Sequence, residues 1–269
     1  ANQLRAEGLQ VMLIDAGDAV QGAAIGTLSN GEYLTDIMNK AGYEIAVPGN
    51  HEFDYGMEQF FALRDKAEFS YLSCNFTDLR TGEPVLDAYA IKDFGSLKIA
   101  FVGVCTPQTI TSSTPAYFQD ENGEFIYGFQ QDDTGEALYA SVQKAVDDAR
   151  AEGADLVVAV AHLGIDETSS PWTASEVIAN TTGIDALIDG HSHSIVGTKV
   201  LNKDGKPVVH SQTGTKLNNI GQITISADGS RIEACLVSNY TGRDAEMEAF
   251  IADIKAKFEA VLKEVVAKT

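Results

Sequence analysis

The 269-residue chain predicts an α/β domain built on a mixed sheet. Short apolar runs alternate with stretches whose apolar residues recur every three to four positions, which is the rhythm of strands and helices in turn. Past Gly197 the rhythm changes to short strands separated by Asp-Gly turns, the mark of antiparallel hairpins. A third observation concerns chemistry. Four of the five histidines fall in short polar islands, each directly after an apolar run.

The elements follow in order. Ala1–Leu4 reads as part of a helix, and Val11–Ile14 as the first strand. Gly31–Ala41 and Met57–Lys66 carry helical spacing, while Ile45–Val47, Ser70–Cys74 and Lys98–Val104 read as strands. These runs are apolar without alternation, as strands covered on both faces are. Thr106–Asp133 is polar and long for a connector; such segments either cover a site or make a surface excursion. Thr134–Ala151 is a marked helix, with Leu138, Val142, Ala145, Val146 and Ala149 near one stripe and Gly153 as a stop. Leu156–Ala161 and Ala186–Ile188 are buried strands. Val208–Ser211, Gln222–Ser226 and Arg231–Ser238 are hairpin strands, with turns at Asp204-Gly205 and Asp228-Gly229. Asp244–Lys268 closes the sequence as an amphipathic helix through Met247, Phe250, Ile251, Ile254, Phe258, Val261, Leu262 and Val265. Residues 1–242 are thus expected to form one domain, and 243–269 a helix that packs on it and leads toward another.

Composition narrows the function. The 19 basic and 39 acidic residues give a net charge of −20, which argues against a nucleic-acid polymer or an anionic membrane as partner. A small phosphate-bearing substrate stays open where a bound metal reverses the local field. Cys74, Cys105 and Cys235 are scattered and odd in number, so neither a disulfide framework nor a zinc ribbon is indicated. No apolar stretch approaches the ~18 residues that span a bilayer.

The islands are Asp15-Ala16-Gly17-Asp18, Gly49-Asn50-His51-Glu52, His162-Leu163-Gly164 and Asp189-Gly190-His191-Ser192-His193. Each follows an expected strand. In open α/β sheets the crevice beyond the carboxyl ends of the strands is where ligands bind, so the islands can converge there. Imidazole nitrogens and the oxygens of Asp and Asn are ligands for divalent metals, and Gly17, Gly49 and Gly190 permit close backbone approach. A lone histidine after a buried strand is most often structural; His162 gains weight only from this company. Asp15 and His210 read as structural, Asp189 as structural before it reads as orienting a neighbouring loop, Asn75 as a turn residue or one at the site rim, and Trp172 and Tyr117 as loop anchors or substrate contacts. A dinucleotide fold is disfavoured because no G-x-G-x-x-G follows an early strand. A zinc protease is disfavoured because Tyr55 stands where H-E-x-x-H needs its second histidine.

Gly17-Asp18, Gly49-Asn50-His51-Glu52, His162 and Gly190-His191-Ser192-His193 stand in the order of a known signature. The chain resembles the calcineurin-like metallophosphoesterases, whose motifs run D-x-H, G-D, G-N-H-[DE], H and G-H-x-H. The strings DAGDAVQG and GNHEFDYG are similar to the 5′-nucleotidase and 2′,3′-cyclic-nucleotide phosphodiesterase branch in particular. The resemblance implies a four-layer α/β/β/α sandwich of two mixed sheets. It implies two divalent metal ions, with Mn, Zn, Fe, Co and Ni equally suited to the ligand set. Asp18 would bridge them, Asn50, His162 and His191 would complete one site, and His193 would serve the other. A metal-activated hydroxide would attack a nucleotide phosphate ester in line. His51 would stabilise the developing charge and protonate the leaving group, with Asp54 orienting its ring. Glu52 fills the acidic position after His51 without a defined role.

The sequence departs from the family at D-x-H. The ten residues before Val11 contain neither Asp nor His, so the second site keeps only Asp18 and His193. The expectation is an N-terminally shortened catalytic domain, weak or inactive by itself. The resemblance also implies a C-terminal nucleotide-binding domain and a secreted, periplasmic or cell-surface location. The competing reading is a disabled binding module that holds at most one metal.

Overall fold

The computed structural model describes residues 1–263. Its main sheet has six strands in the order Ile195–Leu201, Pro207–Thr213, Ala186–Asp189, Leu156–His162, Lys98–Cys105 and Tyr89–Asp93. The four inner strands are parallel, and an antiparallel strand closes each edge. A second, parallel sheet joins Leu13–Asp15, Tyr43–Ala46 and Ser70–Tyr71. The hairpin of Asn219–Ile225 and Ile232–Ser238 lies beyond the Asp204-Gly205 turn, as the Asp-Gly signals predict.

Three apolar clusters separate four layers, and strand parity shows how. Along Lys98–Cys105, Ala100, Val102 and Val104 face the helices Glu136–Ala151 and Ala174–Asn180 through Leu138, Val142, Val146, Val177 and Ile178. The alternate residues Ile99 and Phe101 face the second sheet through Ile45, Val47 and Leu72. Leu156–His162 divides in the same way, with Val157, Ala159 and Ala161 on one side and Val158 and Val160 on the other. The far face of the second sheet packs Ala46 and Tyr71 against Met38, Phe53, Phe60 and Phe76. The order is helix, sheet, sheet, helix, as the resemblance implies. A strand buried on both faces has no polar side to show, so these runs read as continuously apolar.

The sheets pack closely at Gly103, where a Cβ would stand 2.3 Å from the backbone of Leu72. Around Asn75 the chain is held by four side-chain contacts. The Asn75 amide donates to the carbonyls of Cys105 and Phe129, both at 2.8 Å, and its oxygen accepts from Cys105 N–H at 2.9 Å and the Ser73 hydroxyl at 3.2 Å. Asn75 is therefore a buried staple rather than a simple turn former. Cys105 is buried, but Cys74 is only half-buried.

Several elements differ from the sequence expectation. The first strand is Leu13–Asp15, and all three residues are half-buried rather than enclosed. Tyr89–Asp93 and Ile195–Leu201 are edge strands with little full burial, so they lack the apolar signal that marked the others. Helix Ala174–Asn180 was also unmarked; it starts with a capping box in which Thr173 and Glu176 exchange hydrogen bonds. Thr106–Asp133 is not an open excursion. It carries short helical turns at Thr109–Ser112 and Pro115–Phe118, and it inserts Phe118 and Phe129 into the aromatic cluster around Phe53. The last helix runs Ala245–Leu262, seats Ile254 at 3% exposure, and pairs Glu246 with Lys40 of helix Glu32–Ala41. Val265 and the expected continuation to Lys268 lie outside the described residues.

Candidate metal centre

Three of the polar islands begin at the last residue of a strand or just beyond it: Asp15, His162 and Asp189 each end one. Gly49–Glu52 follows Tyr43–Ala46 by a short turn. The glycines then allow the islands to close on one another. A Cβ on Gly17 would meet Gly49 N and His162 Nδ1 at 2.6 Å, and Gly17 itself has φ of +92°. A Cβ on Gly49 would stand 2.3 Å from Asp18 Oδ1, and one on Gly190 would stand 2.6 Å from the Ala16 carbonyl. Asp18, His191 and His193 all adopt positive φ, an uncommon conformation for non-glycine residues that clusters at functional sites.

Two facing pairs result. Asp18 Oδ2 lies 3.1 Å from His162 Nε2. Asn50 Oδ1 lies 3.0 Å from His191 Nδ1. The two imidazoles bring the pairs together, with ring centroids 5.0 Å apart. His162 Nδ1 is 2.6 Å from the Ala16 carbonyl, which only accepts, so Nδ1 carries the proton. Nε2 is then the free nitrogen of the neutral ring. It is buried, and despite the close carboxylate it makes no hydrogen bond.

The electrostatics follow from this closeness. Burial alone would push the Asp18 carboxyl up, but His162 outweighs it and holds Asp18 at about 2. Burial likewise pulls His162 down, and the Asp18 charge outweighs it, lifting the ring to about 9. The pair is thus poised around a positive charge between its members, supplied by a proton or a cation. Burial, then the charge of His162, takes His191 down to about 4, so that ring is neutral at neutral pH. Burial raises Asp15 to about 6, and its Oδ1 accepts from Gly17 N–H at 2.9 Å. That is the strand-end role expected of it.

His51 and Asp54 form the expected dyad, with Nδ1 2.7 Å from Oδ2. The His51 side chain is 36% exposed, open to an incoming group. His193 is exposed and takes no part in the two pairs. Among the described residues no group of three His, Cys, Asp or Glu side chains stands as a ready metal cluster. The donors assembled here include an Asn and face one another in twos. An orphaned buried nitrogen against a carboxylate, beside a carbonyl oxygen and a second imidazole, fits a divalent cation in both charge and donor type.

Two buried carboxylates hold the backbone around these donors. Glu52, buried at 1% exposure, accepts from Gly49 N–H at 2.6 Å, Asp18 N–H at 2.7 Å and Ala19 N–H at 2.8 Å. Burial, with the charges of Asp18 and Asp15 added, raises its carboxyl to about 7. Asp189 accepts from Leu163 and Gly164 N–H at 2.9 and 3.1 Å through Oδ1, and from Gln212 Nε2 at 2.9 Å through Oδ2. His210 stands 3.3 Å from the same Oδ2. Asp189 and His210 are structural, as expected, and what they support is the loop after His162.

Known proteins are similar to this chain in sequence and in fold. Residues 9–213 match the family model described as bacterial capsule synthesis protein PGA_cap, and the chain belongs to that family. A 5′-nucleotidase of Vibrio parahaemolyticus is 30% identical over 220 residues, which cover 77% of this chain and 36% of the relative. The chain belongs to the calcineurin-like metallophosphoesterases, in their 5′-nucleotidase branch. A 2′,3′-cyclic-nucleotide 2′-phosphodiesterase/3′-nucleotidase of Yersinia enterocolitica is 29% identical over 217 residues, covering 72% of this metallophosphoesterase chain and 31% of the relative. The fold is shared with the sulfate thiohydrolase SoxB of Thermus thermophilus at a TM-score of 0.81 and 22% identity, over 96% of this chain and 45% of that one. The chain thus spans about a third of the length of these curated relatives.

Proposed function

We propose that this metallophosphoesterase chain hydrolyses phosphate esters of nucleotides with the help of a divalent metal. The observation that carries the reading is the orphaned Nε2 of His162 facing Asp18, beside the Asn50 and His191 pair. Asp18, Asn50, His162 and His191 would hold one metal. Asp18 and His193 would contribute to a second, whose remaining family ligands have no counterpart before Val11. A metal held there would neutralise phosphate charge and lower the pKa of a bound water.

The chain's own residues do the rest. Asp54 accepts a hydrogen bond from His51 Nδ1–H and fixes the ring, so that in the imidazolium form the second proton is carried at Nε2. From there His51 donates to the leaving alkoxide, and the Asp54 carboxylate steadies the imidazolium before transfer. Glu52 holds the backbone N–H groups of Asp18 and Ala19 and that of Gly49, just before Asn50, which keeps the donors in place. The curated relatives act on nucleotides by their names, and this supports a nucleotide as substrate. Base recognition by a C-terminal domain and a secreted, periplasmic or cell-surface location belong to the same proposal. No helix among the described residues is long and apolar enough to cross a membrane.

The second reading is a binding module with a single metal, favoured by the place of His193, which is exposed and outside both facing pairs. Turnover of AMP and bis(4-nitrophenyl) phosphate with added manganese separates the two. The hydrolase reading expects metal-dependent turnover, with kcat lowered about 10²–10⁴-fold by His51→Ala while metal binding is kept. Metal uptake without turnover, by this chain and by a form extended upstream with a D-x-H strand, would leave the module.

A further inference from the structure

One side chain from outside the motifs reaches the centre. Gln108 lies just past the Lys98–Cys105 strand, where its N–H donates to Thr106 Oγ1 at 3.2 Å. Its amide Nε2 donates to the Thr168 carbonyl at 3.1 Å. Its Oε1 accepts from the Ser169 hydroxyl at 3.0 Å and stands 2.9 Å from His191 Nε2. The orientation of this amide is determined by its surroundings. A backbone carbonyl only accepts, so the nitrogen faces Thr168 and the oxygen faces the imidazole.

Amide oxygens face both ring nitrogens, Gln108 Oε1 at Nε2 and Asn50 Oδ1 at Nδ1, and a neutral imidazole donates to one of them. The Gln108 amide is held in place by Thr168 and Ser169, whereas the Asn50 side chain makes no other hydrogen bond among the described residues, so the N–H belongs at Nε2. A neutral imidazole has one N–H, so a proton at Nε2 leaves Nδ1 with its lone pair. Nδ1 is the atom beside Asn50 Oδ1. We propose that Gln108 is a positioning residue that sets the tautomer of His191 and thereby presents Nδ1, next to Asn50 Oδ1, to a divalent metal. The inference rests on the metal reading above and adds to it a residue from Thr106–Asp133. That segment meets the 163–173 loop beside His191 through the bonds of this side chain to Thr168 and Ser169. Ser169, its partner there, is 1% exposed, so the join is a packed one. Partners that orient a ligating histidine through its other nitrogen typically change metal affinity 10–100-fold when removed.

Nitrogen-15 NMR of the imidazoles in the metal-free protein tests the tautomer, and calorimetric titration with zinc tests the affinity. Wild type is expected to show His191 as the Nε2–H tautomer. Gln108→Leu should mix the tautomers and weaken zinc binding about 10–100-fold. Gln108→Glu, whose carboxylate accepts from the same N–H but cannot donate to Thr168, should keep the wild-type tautomer. A residue that merely tied two loops together would change stability and leave the tautomer alone. An Nδ1–H tautomer in wild type overturns the proposal, and so does an unchanged tautomer in Gln108→Leu. Should Gln108→Leu fail to fold, the wild-type spectrum and Gln108→Glu still decide. Absence of zinc uptake by wild type would count against the metal reading itself, while the NMR result judges Gln108 separately.

Discussion

At Glu52 a buried carboxylate sits where four peptide N–H groups converge, those of Asp18, Ala19, Val20 and Gly49. Three of these groups come from a segment more than thirty residues earlier, so the side chain joins two islands through their backbones. Glu52→Ala strands all four donors in a place closed to water. The expected cost is about 1–3 kcal/mol for each N–H left unpaired, read from urea unfolding. Glu52→Gln should lose less, since its amide retains one accepting oxygen. An alanine variant as stable as wild type would remove the clamp from this account. The same contrast shows what was legible at this scale. Asp18, Asn50, His51, Asp54, His162 and His191, which the structure places in three facing pairs, could be named because each lies in a short motif that resembles a known signature. Glu52 stood in plain view within Gly49-Asn50-His51-Glu52, but its task depends on where distant amides point. Gln108 carried no signal, because an uncharged amide in a polar stretch looks like any other.

Among the elements, the buried parallel strands were legible and the edges were not. Leu156–His162 is buried at every residue, and an apolar run of that length has few other uses. Ile195–Leu201 is exposed at most positions and has no such run to show. Parity within a strand was equally hidden, since both faces of Lys98–Cys105 are apolar and nothing in the run says which sheet or helix each will meet. Gly103 marks where this matters. Its missing side chain admits the Leu72 backbone between two sheets, neither of which can yield alone. Gly103→Ala is expected to cost about 1–3 kcal/mol by overpacking, measured by thermal or urea unfolding. Indifference to the added methyl would mean that the sheets slide past one another more freely than their packing indicates.

For the whole molecule, the net charge of −20 sets the long-range field that an anionic substrate must cross. Screening acts over about 30 Å at 0.01 M salt and about 10 Å at 0.1 M. Adding salt across that range removes the distant repulsion first and leaves the centre's own charges in force. The expected result is a rise in kcat/KM for AMP between those two concentrations, measured with manganese in excess. A steep fall would show that the local positive field governs capture. The order of the layers was readable only through the resemblance, because sheet-to-sheet packing leaves no trace in periodicity.

Asp189 has a consequence at this scale as well. Its carboxylate holds Leu163 and Gly164 with one oxygen and Gln212 with the other, so it rivets three neighbouring parallel strands at their carboxyl ends. His162 is the last residue of one of those strands, and His191 follows two residues after the carboxylate itself. The spacing of the two imidazoles is therefore inherited from the register of the sheet rather than from the lengths of the loops between them. A centre gauged in this way is preorganised. Insertions in the loop that starts at Ile165 should leave the distance between its histidines unchanged, and a cation entering the site has little left to arrange.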